Sequence, residues 1–470
     1  MNTKGRRLDR RPGRKGGRSS PSVLERINAN AAGIDCGAAE HYVAVPVGRD
    51  PNPVQSFATF TSDLHRLADW LLACGVTTVA MEATGVYWIP VYEILEERGI
   101  EVLLVNARHV RNVPGRKSDV VDCEWLRDLH SVGLLRGSFR PAAAIVGLRS
   151  YLRHREILVQ SAATHVQRMQ KALVEMNLQL HRVIADVTGV TGLKIIRDIV
   201  AGRTDPAELA KHRDVRCSAS EEEIAAALTG HYKPEQLFVL KQNLALFDAY
   251  QQQLVECDRA IEACLKTLAE DSTEPSDPLP PPRSKRKPHD NEPRFEIRGP
   301  LHRVSGTDLA QLDGIGPYNA LRLISEIGTD MSRWATEGHF TSWLTLAPRN
   351  KVSGGRVLSS RTQPSANRAA AILRLAVMSL SRGQTALGAS YRRLAYRIGR
   401  AKAITAIARK LAVLVYRTLK GGFLYKDPGA EAYDKRYRDH AVRRLRQRAE
   451  FLGFALISRQ TGEVFEAGVS

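Results

Sequence analysis

Two stretches of this 470-residue chain repeat apolar residues every seven positions, a spacing that restricts them to long packed helices. The first series is Leu152, Val159, Val166, Leu173 and Leu180, with a second series at Ala162, Met169, Met176 and Val183. The later stretch repeats Leu240, Phe247, Leu254, Ile261 and Leu268, but polar Gln251 and Asp258 interrupt its companion series. Residues 146–269 are therefore predicted to form a helical coiled-coil region. The spacing allows both a hairpin within one chain and a coiled coil between chains.

The segment before these arms alternates short apolar runs with helical runs. Strands are predicted at 41–47, 54–60, 77–83 and 100–106, and helices at 63–75, 86–99 and 117–133, with Ser118 as a possible cap. Alternation of this kind is typical of an α/β domain with a mixed or parallel sheet. We expect that domain to cover residues 29–145.

The charge of the chain is strongly positive and unevenly distributed. The formal net charge is +19, residues 338–426 contain no Asp or Glu, and residues 348–426 hold 17 Lys and Arg. A solvated surface normally mixes both signs. Clustered cations instead gain affinity for phosphates by releasing counterions. The distribution therefore indicates a nucleic-acid-binding surface and argues against a membrane partner.

Composition also sets off the ends of the chain and one internal segment. Residues 1–28 hold nine Lys and Arg against two acids and are expected to form a disordered basic arm. Residues 270–300 contain eight prolines and many charges and are expected to form a largely disordered linker. Residues 426–470 are expected to form a basic tail, whose patch at 435–448 is a second candidate for nucleic-acid contact.

The domain between that linker and the tail, residues 301–425, is predicted to be mostly helical. Helices are expected at 365–383 and 400–419. Gly314 and Gly316 lie in a turn that resembles a helix-hairpin-helix, whose amides can face a DNA phosphate. An ordinary connection between helices with glycine caps is the alternative.

The six cysteines and the apolar runs bear on the compartment. The cysteines are scattered without a CxxC pair, so we expect reduced thiols and no structural zinc. No apolar run is long enough for a transmembrane helix, and the basic first residues lack the apolar core of a secretory signal. These features predict a cytoplasmic protein.

Four acidic residues occupy positions suited to a metal site. Asp35 is expected at the start of the first strand, and Glu82 at the end of a later strand. Asp119 and Asp122 are three apart on a predicted helix and therefore share a face. Carboxylates of this kind suit Mg²⁺, and two such ions can flank a phosphodiester bond.

Each acid also has an ordinary explanation. Asp35 could belong to a plain turn, Asp119 could be favoured by the helix dipole, and both residues of the helical pair could be solvated. Glu82 differs, because it interrupts an otherwise apolar run where a lone carboxylate is costly. A paired or metal-bound role is therefore favoured for Glu82.

One hydroxyl lies in a strongly basic stretch, "PRNKVSGGRVLSSR" at 348–361. Ser353 precedes two glycines, which let a phosphate approach the backbone closely. The cations around it are Arg349, Lys351, Arg356 and Arg361, and such charges can stabilise a phosphoryl transition state. From these residues alone, Ser353, Ser359, Ser360 and a purely structural loop all remain open.

Three blocks of sequence resemble insertion-sequence transposases of the IS110 type, including the IS1111 branch, which are relatives of the Piv DNA invertase. The blocks begin with "GIDCGAAEHYVAV", "MEATGVYWIPVYEILEERG" and "LDGIGPYNALRLISEIG", and the third continues through "NKVSGG". Their order, spacing and wording agree with the family over roughly residues 30–420. The basic arm, the Pro-rich segment and the tail lie outside what the family core requires.

The resemblance implies a DNA transposase or recombinase whose N-terminal domain has an RNase-H/RuvC-like fold. Asp35, Glu82, Asp119 and Asp122 would be its metal-binding tetrad for Mg²⁺ or Mn²⁺, and Ser353 its nucleophile. The coiled-coil arms would join protomers into a homodimer and then a homotetramer. A non-coding bridge RNA would pair with donor and target DNA, in a bacterial, nucleoid-associated complex.

Three other functions fit parts of the sequence. A RuvC-like junction nuclease would use the same carboxylates with water and would not need Ser353. A catalytically inactive nucleic-acid-binding protein derived from a transposase is the second, although all five expected residues are present. An actin-like phosphotransferase is suggested only by "GIDCG", and the chain lacks the glycine-rich phosphate loops it would need.

Overall fold

The computed structural model describes residues 25–83, 85–106, 119–283 and 288–457, without the side chains of 119–121. The chain divides into two compact units, residues 1–140 and residues 141–470. Most of the predicted basic arm and the predicted cap Ser118 lie outside the described residues. None of the described helices is long and apolar enough to cross a membrane.

The first unit is built on a five-stranded mixed sheet. Its strands are β1 (Ala31–Cys36), β2 (Glu40–Ala44), β3 (Val54–Ala58), β4 (Thr78–Glu82) and β5 (Glu101–Val105), in the order β3-β2-β1-β4-β5. β1, β4 and β5 run parallel, whereas β2 and β3 are antiparallel to their neighbours. The helices are α1 (Thr61–Ala73), α2 (Trp88–Glu97) and α3 (Asp119–Ser131). The predicted α/β domain is confirmed.

The two faces of this sheet are covered by different helices. One face packs against α1 and α2 and forms the main core, which includes Ile34, Met81 and Leu67. The opposite face lies under α3, where Leu126 and Val105 form a smaller apolar cluster. Side chains alternate between faces along a strand, so each residue of β1 or β4 is assigned to one helix layer.

The heptad stretches form two long helices of the second unit, α4 (Ala143–Glu175) and α9 (Pro234–Glu270). Four shorter helices connect them, α5 (Leu180–Val183), α6 (Val190–Val200), α7 (Pro206–Ala210) and α8 (Glu221–Leu228). His165 of α4 contacts Asn243 of α9, and the earlier Arg155 contacts the later Asp258, so the helices run antiparallel. The hairpin within one chain, one of the two alternatives, is the observed arrangement.

The buried seam of α4 includes polar residues that the heptad pattern did not select. Leu152 and Leu173 are buried as expected, but Val159 and Val166 are only half-buried. Arg155, 3% exposed, donates to Asp258 and to the backbone oxygen of Asn291. These bonds satisfy a guanidinium whose burial would otherwise be costly.

Helices dominate the rest of the second unit, as predicted. They are α10 (Arg298–Ser305), α11 (Pro317–Ile327), α12 (Glu337–Trp343), α13 (Arg368–Leu380), α14 (Ala386–Ile398), α15 (Arg400–Gly421) and α16 (Gly429–Phe451). α13 and α15 confirm the helices expected at 365–383 and 400–419. A two-stranded hairpin, β6 (Lys351–Ser353) with β7 (Arg356–Ser359), was not predicted.

Several hydrogen bonds join one part of the Pro-rich segment to the helical body. Arg298 donates to the backbone oxygen of Pro280, and Gln311 donates to that of Pro281 at 3.0 Å. Arg283 donates to the backbone oxygen of Gln311 at 3.0 Å. These bonds hold residues 280–283 against α10 and the 3-10 turn at Leu309–Gln311. The expectation of a largely disordered linker over residues 270–300 stays a prediction.

Candidate active site and nucleic-acid surface

Asp35 and Glu82 come together at the ends of two neighbouring strands. Asp35 is the fifth of the six residues of β1, so the expectation that it begins the strand is wrong. The parallel pairing of β1 with β4 runs to Ile34 opposite Met81, and the next residues are Asp35 and Glu82. The two carboxylates therefore occupy matching positions where parallel strands end, and both are half-buried.

Both carboxylates belong to the face of the sheet that α3 covers. Thr78 lies four residues before Glu82 on β4, so the two side chains share a face of the sheet. The Thr78 hydroxyl contacts His130 of α3 at 2.8 Å, whereas Met81 packs in the core on the other face. Gly33 lies two residues before Asp35 on β1, on the same face of the sheet, and directly under α3. A Cβ built on Gly33 would be 2.2 Å from the backbone oxygen of Cys123. The lack of a side chain at Gly33 is what allows the helix to approach this closely.

The closeness of these groups also appears in the pKa values of two buried thiols. Burial raises the pKa of Cys36 far above its usual range, and the negative charges of Asp35 and Glu82 raise it further. Burial, together with smaller contributions from the negative charges of Glu124 and Asp35, raises the pKa of Cys123 to about 12. Asp35 is therefore near α3 as well as near Glu82. Both thiols stay protonated at neutral pH and are unsuited to nucleophilic chemistry.

The helical pair is placed by the direction of α3. Cys123, Leu126 and His130 face the sheet, and His130 reaches the beginning of β4. The first turn of α3 therefore lies towards the strand ends that carry the acids. Asp122 is half-buried in this turn, while Asp119 begins the helix with its side chain outside the described set.

The donors present fit a hard divalent cation. Mg²⁺ binds proteins through one or two carboxylates and completes its shell with water and phosphate oxygens. Asp35 and Glu82 provide such a pair. Among the described side chains, which leave out Asp119, no three acidic, His or Cys groups are clustered tightly enough to hold a metal alone. The pair therefore suits a metal that also takes ligands from a bound phosphate.

Ser353 lies on a strand rather than in an irregular loop. It ends β6 and pairs with Arg356 of β7 across a two-residue turn. That turn is formed by Gly354 and Gly355, with φ of 54° and 75°, values that favour glycine. All three strand residues of β6 are exposed. The hairpin therefore presents the hydroxyl at its tip, beside two glycines.

The four cations expected around Ser353 all lie on or beside this hairpin. Lys351 and Arg356 are strand residues, and the Arg349 amide donates to the Arg361 backbone oxygen at 3.1 Å. All four are exposed, and none forms an ion pair with a described residue. Positive charge that no described acid neutralises therefore surrounds the hydroxyl.

The Gly-Ile-Gly turn has a packing role that the sequence did not reveal. A Cβ on Gly314 would be 2.8 Å from the Ala376 backbone oxygen of α13, and φ there is 78°. Gly316 is exposed and precedes α11, which begins at Pro317. A 3-10 turn, Leu309–Gln311, precedes this turn where the helix-hairpin-helix pattern expects a full helix. A phosphate contact by these glycines remains a prediction.

Two family models match this chain. A DEDD transposase model of the IS110 type matches residues 32–178, which contain all four candidate carboxylates. A model described as "Transposase IS116/IS110/IS902 family" matches residues 306–392, which contain Ser353 and its cations. The matches support an IS110/IS116 transposase. No curated protein matches the chain.

The family matches bear on the general activity of the chain. The matches support, in general, an enzyme that cuts and rejoins DNA, and a DEDD transposase family generally implies a divalent metal. Among the described residues, the carboxylate pair and the basic hairpin have properties that suit this chemistry.

Proposed function

We propose that this transposase recombines DNA through a covalent Ser353–DNA intermediate. The Ser353 oxygen attacks a phosphodiester phosphorus, a P–O bond to one DNA strand breaks, and that strand leaves with a hydroxyl end. A hydroxyl of another strand then attacks the same phosphorus and releases Ser353. Each step exchanges one phosphoester for another, so no ATP is needed. The in-register pair of Asp35 and Glu82 on the face under α3 is the observation that carries the proposal.

The carboxylates would hold the metal. Asp35 and Glu82 would be its main ligands, and Asp119 and Asp122 would approach from the first turn of α3. When bound, Mg²⁺ or Mn²⁺ would supply the activation that a Ser hydroxyl lacks and would offset charge on the leaving oxygen. Gly33 keeps α3 close enough for its first turn to contribute. The proposal includes the RNase-H/RuvC-like fold that the family resemblance implies for the first unit.

The hairpin would bind the scissile phosphate. Gly354 and Gly355 leave space beside the Ser353 hydroxyl, since a Cβ at either would meet nothing within 4 Å. Lys351 and Arg356 flank the hydroxyl and would attract the phosphate and stabilise negative charge in the transition state. Arg349 and Arg361 would extend this contact at the base of the hairpin.

The assembly proposed for the family would complete the reaction. Ser353 of one protomer would act at the carboxylates of another, in a homodimer and then a homotetramer, and a bridge RNA would select donor and target DNA. The apolar residues between α4 and α9 pack against each other within one chain and are not available to a second protomer. Protomers would therefore meet through the solvent-exposed side of α9, where Phe238, Leu246 and Val255 lie. The acid-free stretch offers cations for RNA as well as for DNA.

The role of Glu82 can be tested with purified protein, Mg²⁺ and DNA carrying the ends of the element. Glu82→Gln should lower cleavage at least 1,000-fold, about 4 kcal/mol in the barrier, because a metal ligand is lost. DNA binding should stay within about two-fold, because the change removes no cation. Glu101→Gln, at the opposite end of the sheet, is the matched control and should cleave normally. Retained cleavage by Glu82→Gln would remove Glu82 from the site.

A further inference from the structure

A single basic helix, α16, extends the second unit beyond both segments that match the family models. Its part from Lys435 to Arg448 holds seven Lys and Arg and one acid, Asp439. At 1.5 Å per residue these fourteen residues span about 21 Å. Such a concentration of positive charge on one exposed helix attracts polyanions.

The start of α16 is fixed to the helical body. Arg393 of α14 forms an ion pair with Asp434 at 3.0 Å, and its guanidinium lies over the ring of Tyr437. The Ala430 amide donates to the Gln384 backbone oxygen at 3.1 Å, and Ala430 is buried. The helix is therefore held along its first two turns, in one direction relative to α14.

The later turns of α16 lack such partners among the described residues. Within that part of the chain, α14 is the one element against which α16 packs extensively. Arg446 pairs with Glu450 of the same helix, but Arg436, Arg438 and Arg444 form no described ion pair. Leu445 is 57% exposed and Phe451 88% exposed. The anchored helix therefore presents its charged half to solvent.

The cations surround the helix axis instead of forming one stripe. At about 100° per residue, the seven cations leave no sector wider than about 80° without positive charge. A flat anionic surface would be met by one face only. A groove with phosphates on both walls meets a helix from several sides, and the B-DNA major groove accepts a helix of this width.

We propose that residues 435–448 of α16 bind duplex DNA in its major groove, as a contact separate from the Ser353 hairpin. DNA is favoured over duplex RNA because the major groove of A-form RNA is too deep and narrow for a helix. A second copy of α16 is disfavoured because two such helices would repel each other. Their apolar residues also form no sustained heptad seam.

The test is equilibrium binding of the full chain to short labelled duplex DNA of random sequence, without element ends, at KCl between about 0.05 and 0.2 M. The variant replaces Arg436, Arg438, Arg443 and Arg444 with Gln. The matched control removes equal charge from arginines that already have acidic partners, Arg66, Arg98, Arg197 and Arg216. Ser353→Ala is a second control, which separates this contact from the proposed reaction.

The α16 variant should bind at least ten-fold more weakly than wild type. The slope of log affinity against log salt concentration should become less steep by about 3.6, the value for four lost phosphate contacts at about 0.9 each. The control variant and Ser353→Ala should both retain the wild-type slope. An α16 variant that binds like the control would overturn the proposal. So would a loss confined to duplex RNA, or a change in mass by light scattering with DNA affinity unchanged.

Discussion

The carboxylate pair and the Ser353 hairpin are supported in opposite ways. Asp35 and Glu82 lie at the ends of strands whose opposite face packs in the main core, and α3 covers the face that carries them. Ser353 ends a three-residue strand that is exposed throughout and pairs with β7 in a two-stranded sheet. The first site takes its geometry from buried packing, the second from a turn of two glycines.

This difference matches what each half would do in the proposed reaction. Metal ligands must hold fixed distances, and packing against a core provides them. A nucleophile that acts on DNA bound at another protomer must be reachable from outside its own unit. An exposed hairpin tip, surrounded by cations that form no ion pair with a described residue, meets that need. Substitutions around the carboxylates should therefore lower the stability of the fold. Substitutions in the Ser353 hairpin should instead lower DNA binding or the reaction rate.

The largest difference is expected between glycines of the two regions. In Gly33→Ala the new Cβ meets the backbone of α3, which cannot move without losing contacts, so the first unit should lose about 3 kcal/mol. In Gly355→Ala the new Cβ meets nothing, and the strain of a positive φ should cost about 1 kcal/mol, confined to the hairpin. Thermal unfolding followed by circular dichroism measures both.

The control for these glycines is Gly147→Ala, in α4, where a Cβ also meets nothing. It should leave stability unchanged or raise it slightly, because alanine favours a helix. A Gly33→Ala protein that unfolds at the wild-type temperature would show that α3 does not depend on this close approach.

A smaller difference is expected with pH. Burial lowers the pKa of both His41 and His130, which lie in the first unit. Below neutral pH these two imidazoles therefore bind protons more readily in the unfolded chain than in the folded chain. The free energy of unfolding is therefore unaffected by these histidines above their unfolded-state pKa of about 6.5, and it falls as the pH drops below that value.

Urea unfolding at pH 7.5 and 5.5 tests this difference. The first unit should lose about 1 kcal/mol at the lower pH. His41→Leu should reduce that loss, whereas His181→Gln, an exposed position in α5, should not. Equal pH sensitivity in wild type and His41→Leu would contradict a role for the buried His41 imidazole.

The sequence predicted the positions of the two candidate carboxylates unequally well. Glu82 was identified because a carboxylate interrupts an apolar run, which has a direct physical cost. Asp35 was misplaced along its strand because Ala31, Ala32 and Gly33 carry little β-propensity of their own. Their strand exists because β4 pairs with it and because Gly33 admits α3, both of which are contacts distant in sequence.

Other features depended on partners that spacing could not reveal. Arg155 and His165 are buried in the arm because Asp258 and Asn243, far along the chain, bond to them. The heptad count therefore favoured Val159 and Val166 in their place. The β6–β7 hairpin carried a recognisable signal, two glycines between short runs with Val352 and Val357, but the surrounding positive charge suggested a loop.

The central claim is that Ser353 becomes bonded to DNA. Wild-type protein is mixed with Mg²⁺, labelled DNA carrying the element ends and RNA transcribed from its non-coding flanks. It is then denatured and examined for label that migrates with protein. Ser353→Ala, Asp35→Ala and the matched hydroxyl control Ser359→Ala are treated in parallel. An adduct in wild type and Ser359→Ala, absent from the other two, is the predicted result. Cleaved DNA without an adduct, unchanged by Ser353→Ala, would contradict the claim and indicate a nuclease that uses water.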